Sequence, residues 1–209
     1  MERATLCGMT PTVGLERLPR ATGALLDEAS ANLLAIANEL DVLLTHGSSD
    51  TLTAIALREE DGDRITHDLI HAARTNHRVG PDRSRIVALA QAIDDVVDAV
   101  DDLAWTWSLQ PLPRLADLVL RVRDAARAAA AIANVVEDDD TRSDALRRAA
   151  ETIRAARDAD HAARGWLLVE QPDPGPAIAG HALVTRADRC IRACLRLRER
   201  VERDAVVTG

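Results

Sequence analysis

The chain has no phenylalanine, no tyrosine and no lysine, and its only aromatic side chains are Trp105, Trp107 and Trp166. A core must therefore be built from Ala, Leu, Val and Ile, and a substrate pocket lined by aromatic rings is disfavoured. With 10 Gly and 8 Pro in 209 residues and few β-branched runs, the backbone is short of turn formers, which favours an all-helical fold. The three cysteines, Cys7, Cys190 and Cys194, are odd in number and follow no framework spacing, so disulfides are not expected and a reducing compartment fits. Nowhere do about 18 to 20 apolar residues follow one another without a charge, and the first residues lack the pattern of a secretory signal. Together these absences lead to the expectation of a soluble cytoplasmic protein. Gly-rich phosphate loops and nucleophile motifs are missing too.

Every basic residue is arginine, 26 against 34 acids, for a formal charge of −8. An Arg-for-Lys bias this complete reports a GC-rich coding sequence rather than a mechanism. Residues 1–110 are strongly acidic, whereas 17 of the arginines follow residue 110 and leave the second half near neutral. A net acidic chain is poorly suited to nonspecific nucleic-acid binding.

Apolar periodicity predicts six helices, at about 22–45, 49–77, 82–109, 112–136, 143–169 and 178–201. "HGSSD", "RVGPD", "QPLP", "EDDDTRSD" and "EQPDPGP" mark the connections, with Ser49, Asp50 and Asp82 as N-cap candidates. Three helices, a proline-marked junction and three more helices suggest a duplicated unit. In that alignment Asp63 lies over Asp160 and Asp98 over Asp188. The expected organisation is an N-terminal extension over 1–21 and two antiparallel three-helix bundles, 22–110 and 111–209.

The second predicted helix carries Glu59, Asp63, His67 and His71 four residues apart, one slowly drifting stripe on its surface. The third carries Asp94, Asp98 and Asp101 or Asp102. If the helices turn back near Gly80 and Pro81, facing residues have numbers summing to roughly 162, at equal rise along both helices. Asp63 then meets Asp98, Glu59 meets Asp102, and His67 meets Asp94 or Asp95. Two rows of acids at matching heights either face water or hold a cation between them. Carboxylates with His at helical spacing are how helical bundles build di-iron and di-manganese sites, and the mixture suits Fe, Mn, Zn or Ni.

The segment "EEDGDRITHDLI", followed by "RIVALAQAIDDVVDAVD", resembles the PhoU-like family of small cytoplasmic proteins that accompany Pit-type inorganic phosphate permeases. Members carry an acidic residue, three others and Asp, then Ile-Thr-His, and a second helix reading Leu-Ala-x-Ala-(Ile/Leu)-Asp-Asp-Val-x-Asp. Specific likeness is confined to about residues 57–103. The resemblance implies two pseudo-symmetric three-helix bundles and metal held by Glu/Asp-x-x-x-Asp pairs, here Glu59 with Asp63 and Asp94 with Asp98. His67, Asp102, Asp160 and Asp188 are further ligand candidates. In the second half Ala156 and Val184 replace the first acid of each pair, so one site is expected rather than two, although Asp158 and His161 lie close by in sequence.

Cys190 and Cys194 fall on an apolar stripe and are expected to pack as small hydrophobes. Arg186, Arg189, Arg192, Arg196, Arg200 and Arg203 recur at spacings of three or four, the wet face of a helix or, as the functional alternative, a docking face for an acidic partner or anionic lipid. The function expected from the resemblance is non-enzymatic: a metal-binding regulator of phosphate uptake whose partner is a phosphate permease at the inner face of the plasma membrane. Self-association is left open. A carboxylate-bridged metal enzyme and a metal-free helical interaction protein are the two rivals.

Overall fold

A computed structural model describes residues 20–75, 83–134, 139–169 and 173–206. The N-terminal extension, Cys7, the Gly80–Pro81 turn and the Asp82 cap lie outside the described residues. Within them the chain is all-helical: α1 Arg20–His46, α2 Ser49–Thr75, α3 Arg83–Leu109, a 3-10 turn Pro113–Leu115, α4 Ala116–Asn134, α5 Asp139–Val169 and α6 Pro174–Val206. None is long and apolar enough to cross a membrane.

Local chemistry sets the boundaries. Gly47 ends α1 with a φ of 64°, and its N–H donates to the Leu43 carbonyl (2.9 Å), a left-handed C-terminal cap that glycine adopts without strain. The hydroxyl of Ser48 accepts from the Thr51 N–H (3.2 Å), so the cap of α2 lies one residue before the expected pair. Pro113 opens a 3-10 turn where a continuous fourth helix was expected from Leu112, and the α-helix proper begins at Ala116. By contrast α5 and α6 start four residues earlier than periodicity suggested. In α6 the Asp173 carboxylate accepts from the Gly175 N–H (3.1 Å). Pro174 and Pro176 cost little there, because first-turn N–H groups have no helical acceptor.

Packing follows the apolar stripes. Helix α2 lies over α1 and α3, α5 lies over α4 and α6, and along the middle α1 meets α4 while α3 meets α6. Hydrogen bonds give the directions: Arg64 to Glu28 (2.8 Å) and Asn32 to the Arg58 carbonyl (2.7 Å) run α2 antiparallel to α1. Buried Ser30 donates to the Ala130 carbonyl (2.9 Å), and Arg127 donates to Asn38 (2.9 Å), placing α4 antiparallel to α1. One aliphatic core, including Leu33, Ile36, Leu40, Ile93, Val100, Val122, Ile132 and Leu183, runs through all six helices and across the junction near residue 110. Cys190 and Cys194 are fully buried in it as free thiols. The hydrogen bond to Cys194 and burial together hold the Cys190 thiol well above its ordinary pKa, which suits a core residue rather than a metal ligand.

Candidate metal centre

Helices α2 and α3 cross closely at Gly62. A Cβ at that position would stand 3.1 Å from Cγ1 of Val97 and 3.4 Å from Nδ2 of Asn32. Glycine in mid-helix sacrifices up to about 1 kcal/mol of helix propensity, and here it lets the backbones approach beside Asp63. One turn further along, the Thr66 hydroxyl donates to Oδ1 of Asp94 (3.0 Å). This bond fixes the register of the two helices, with partner numbers summing to 160, close to what the turn position implied.

At this crossing one carboxylate oxygen from each of Glu59, Asp63 and Asp98 lies within 4.8 Å of the other two. Asp63 is exposed, whereas Glu59 and Asp98 are half-buried. Burial, reinforced by Asp63, Asp98, Asp101 and Asp94, raises the pKa of Glu59. Asp98 is pushed up to about 6 by burial and by Asp94 and Asp63, with Arg189 opposing. Asp94 is raised by burial despite the Thr66 hydrogen bond, and Asp101 is raised by burial and by Asp102. Four acids on two helices thus share one field that disfavours their ionisation.

The other candidates go elsewhere. Asp102 faces α6, where Arg186 (3.0 Å) and Arg189 donate to its Oδ2, so Asp101 rather than Asp102 contributes to the field at Glu59. His67 and His71 are exposed and outside the three-carboxylate cluster. The cluster is accordingly an all-oxygen donor set. Oxygen atoms no more than 4.8 Å apart are close to what an ion with bonds of about 2.1 Å requires, since its opposite ligands are roughly 4.2 Å apart. The donor set therefore fits a hard cation after small rotamer adjustments.

The second half presents a different solution. Asp160, 5% exposed on α5, accepts from Nε (2.8 Å) and Nη2 (3.3 Å) of Arg164, whose guanidinium also lies 3.7 Å from Asp188 on α6. Arg192 pairs with the same oxygen of Asp188, Oδ2. In the duplicated alignment Arg164 occupies the place of His67, and Ala156 and Val184 are buried. The Asp160–Asp188 pair is thus bridged by a cation belonging to the chain. This arginine was readable locally, as a basic residue four positions after Asp160.

Arginine also reaches other acids along the helix interfaces. Arg196 donates to Asp95 (2.9 Å) and Arg200 to the Ser84 carbonyl (3.4 Å), so much of the α6 arginine row faces α3 rather than forming one free wet face. Asp41 accepts from Arg123 and Arg127 of α4, and these hydrogen bonds hold its pKa low against the effect of burial. Among the described residues Glu59, Asp63 and Asp98 have neither an ion pair nor a side-chain hydrogen bond.

No protein-family model matches the chain, and no curated protein matches it.

Proposed function

We propose that the protein is a metal-binding helical accessory protein of inorganic phosphate transport, with Glu59, Asp63 and Asp98 as ligands and Asp94 as the fourth acid of the site. The observation that supports metal binding is the contrast within one chain: Asp41, Asp95, Asp102, Asp160 and Asp188 at the helix interfaces have arginine partners, and these three carboxylates have none. Left ionised and empty, they would repel across a half-buried crossing. A hard cation would relieve that repulsion, and the all-oxygen donor set favours iron or manganese over zinc and nickel within the expected group.

The link to a Pit-type permease rests on the resemblance over residues 57–103. That resemblance also carries the finer architecture of two pseudo-symmetric three-helix units, α1–α3 and α4–α6, and the equivalent positions of α2 and α5 are in keeping with it. On this reading the chain carries one metal site, because Arg164 already neutralises the corresponding place in the second unit. Its role is that of a rigid partner module rather than an enzyme.

Elemental analysis of protein purified without chelator tests the metal. Stoichiometric iron or manganese is expected in the unmodified chain. Asp63→Ala and Asp98→Ala should each lower it at least tenfold, since even ligand-supporting contacts are commonly worth 10 to 100-fold in affinity, with helical circular dichroism retained. A metal content that is zero in the unmodified protein, or unchanged in both variants, refutes the site. Co-purification of a phosphate permease with the tagged chain from its own host tests the partner separately.

A further inference from the structure

A cleft of about 330 Å³ lies between α5 and α6. Its charged walls are Arg154, Arg157, Asp158, His161 and Arg198, and Ile153 and Leu195 line its apolar part. Three guanidinium groups face one carboxylate there. Most described arginines of this chain are engaged by carboxylates or carbonyls, but Arg154 and Arg157 have no hydrogen bond or ion pair among the described residues. Both are exposed on α5 and spaced three apart, so they project to one side of the helix. Arg198, across the cleft on α6, gives one Nη to Glu202 (2.9 Å).

The two unengaged guanidiniums of α5, with that of Arg198 across the cleft, form a multi-donor surface whose natural complement is an anion with several oxygens. We infer that this cleft binds a phosphate oxyanion carrying two or more negative charges. The His161 imidazole adds a donor at the rim, and Ile153 and Leu195 leave room for an organic substituent on the phosphate. Asp158 sets a lower limit on ligand charge, because a monoanion would gain little over the carboxylate already present. The same lining shows why Asp158 and His161 do not complete a second metal site: the surrounding charge is positive. The inference is independent of the metal reading and of the family resemblance.

Isothermal titration calorimetry of the full chain with inorganic phosphate and with pyrophosphate, at about 0.1 M salt, tests it. Saturable one-site binding is expected, tighter for pyrophosphate and weakening with salt. Arg154→Gln with Arg157→Gln should reduce affinity at least tenfold without loss of helix, since Gln and Arg have similar helix propensity. The control Arg147→Gln with Arg148→Gln, on the same helix but outside the cleft, should leave binding unchanged. Flotation with phosphatidic acid vesicles separates the sources of the phosphate: binding there alone, lost in the cleft variant, assigns the same site to a lipid headgroup. Absence of binding in both formats overturns the inference, as does equal loss in the cleft and control variants.

Discussion

Replacing Asp98 by Asn should make the metal-free protein more stable, although it removes a residue proposed as a ligand. The Asp98 carboxyl is raised from 3.8 to about 6 by burial and by Asp94 and Asp63, with Asp95 adding to the effect and Arg189 of α6 opposing it. The interval corresponds to about 3 kcal/mol of preference for the neutral form. Because the group is only half-buried, solvent screening brings the usable part down to roughly 1 to 1.5 kcal/mol. The sign follows from linkage: a carboxyl whose folded pKa lies above the unfolded one contributes stability that is fully present below about 3.8 and lost as pH rises through about 6. Near pH 7.5 the chelator-treated protein therefore bears the full penalty, and Asp98→Asn should raise Tm by roughly 2 to 5 °C for a chain of this size. Near pH 5 the native carboxyl is mostly protonated in the folded state, and the gain should fall to about half. Thermal circular dichroism on both proteins at both pH values, after removal of metal, gives the four numbers needed. A gain equal at the two pH values, or a variant less stable than the parent near pH 7.5, would refute the account of the field at this crossing.

Two further substitutions probe the helix contacts. Gly62→Val should lower the unfolding free energy by about 1 to 2 kcal/mol in urea titrations, because overpacking against Val97 outweighs the gain in helix propensity; an unchanged midpoint would mean that α2 and α3 are not in close contact there. Arg164→Met strips Asp160 of its guanidinium and should cost about 2 to 4 kcal/mol by the same assay, nearer the lower end because Arg164 is 44% exposed. Adding Asp160→Asn to that background should restore most of the loss, and failure to do so would show that Arg164 acts through packing.

Helix count and order were legible because 3.6-residue periodicity runs for seven turns in most elements. The α2–α3 register followed from the turn position and helical rise alone, and the Thr66–Asp94 bond lies within two residues of it. Less legible was the last turn of the acidic row, where Asp101 and Asp102 differ by about 100° around the helix. Which of them looks toward α2 is decided by Arg186 and Arg189, some 85 residues away and on a helix whose facing residues no local pattern reveals. The starts of α5 and α6 were placed late because Asp-rich and Pro-rich segments read as loop, although both residue types are at home in a first helical turn. The cleft arginines were hidden for a different reason: Arg154 and Arg157 look like any solvated charges until Arg198 is brought opposite them.

The bridging arginine also bears on the order in which the molecule assembles. Asp160 and Arg164 are four residues apart on one helix, so their pairing needs only α5 and can form on the timescale of helix formation. That carboxylate then reaches the α5–α6 interface already neutralised, at a local concentration fixed by the chain and indifferent to the surroundings. Glu59, Asp63 and Asp98 have no such companion, and α2 must close on α3 against their repulsion unless an ion arrives from solution. If the proposed metal binds there, docking of α2 becomes the step of folding that ambient metal controls, while the second half assembles at the same rate in its presence or absence.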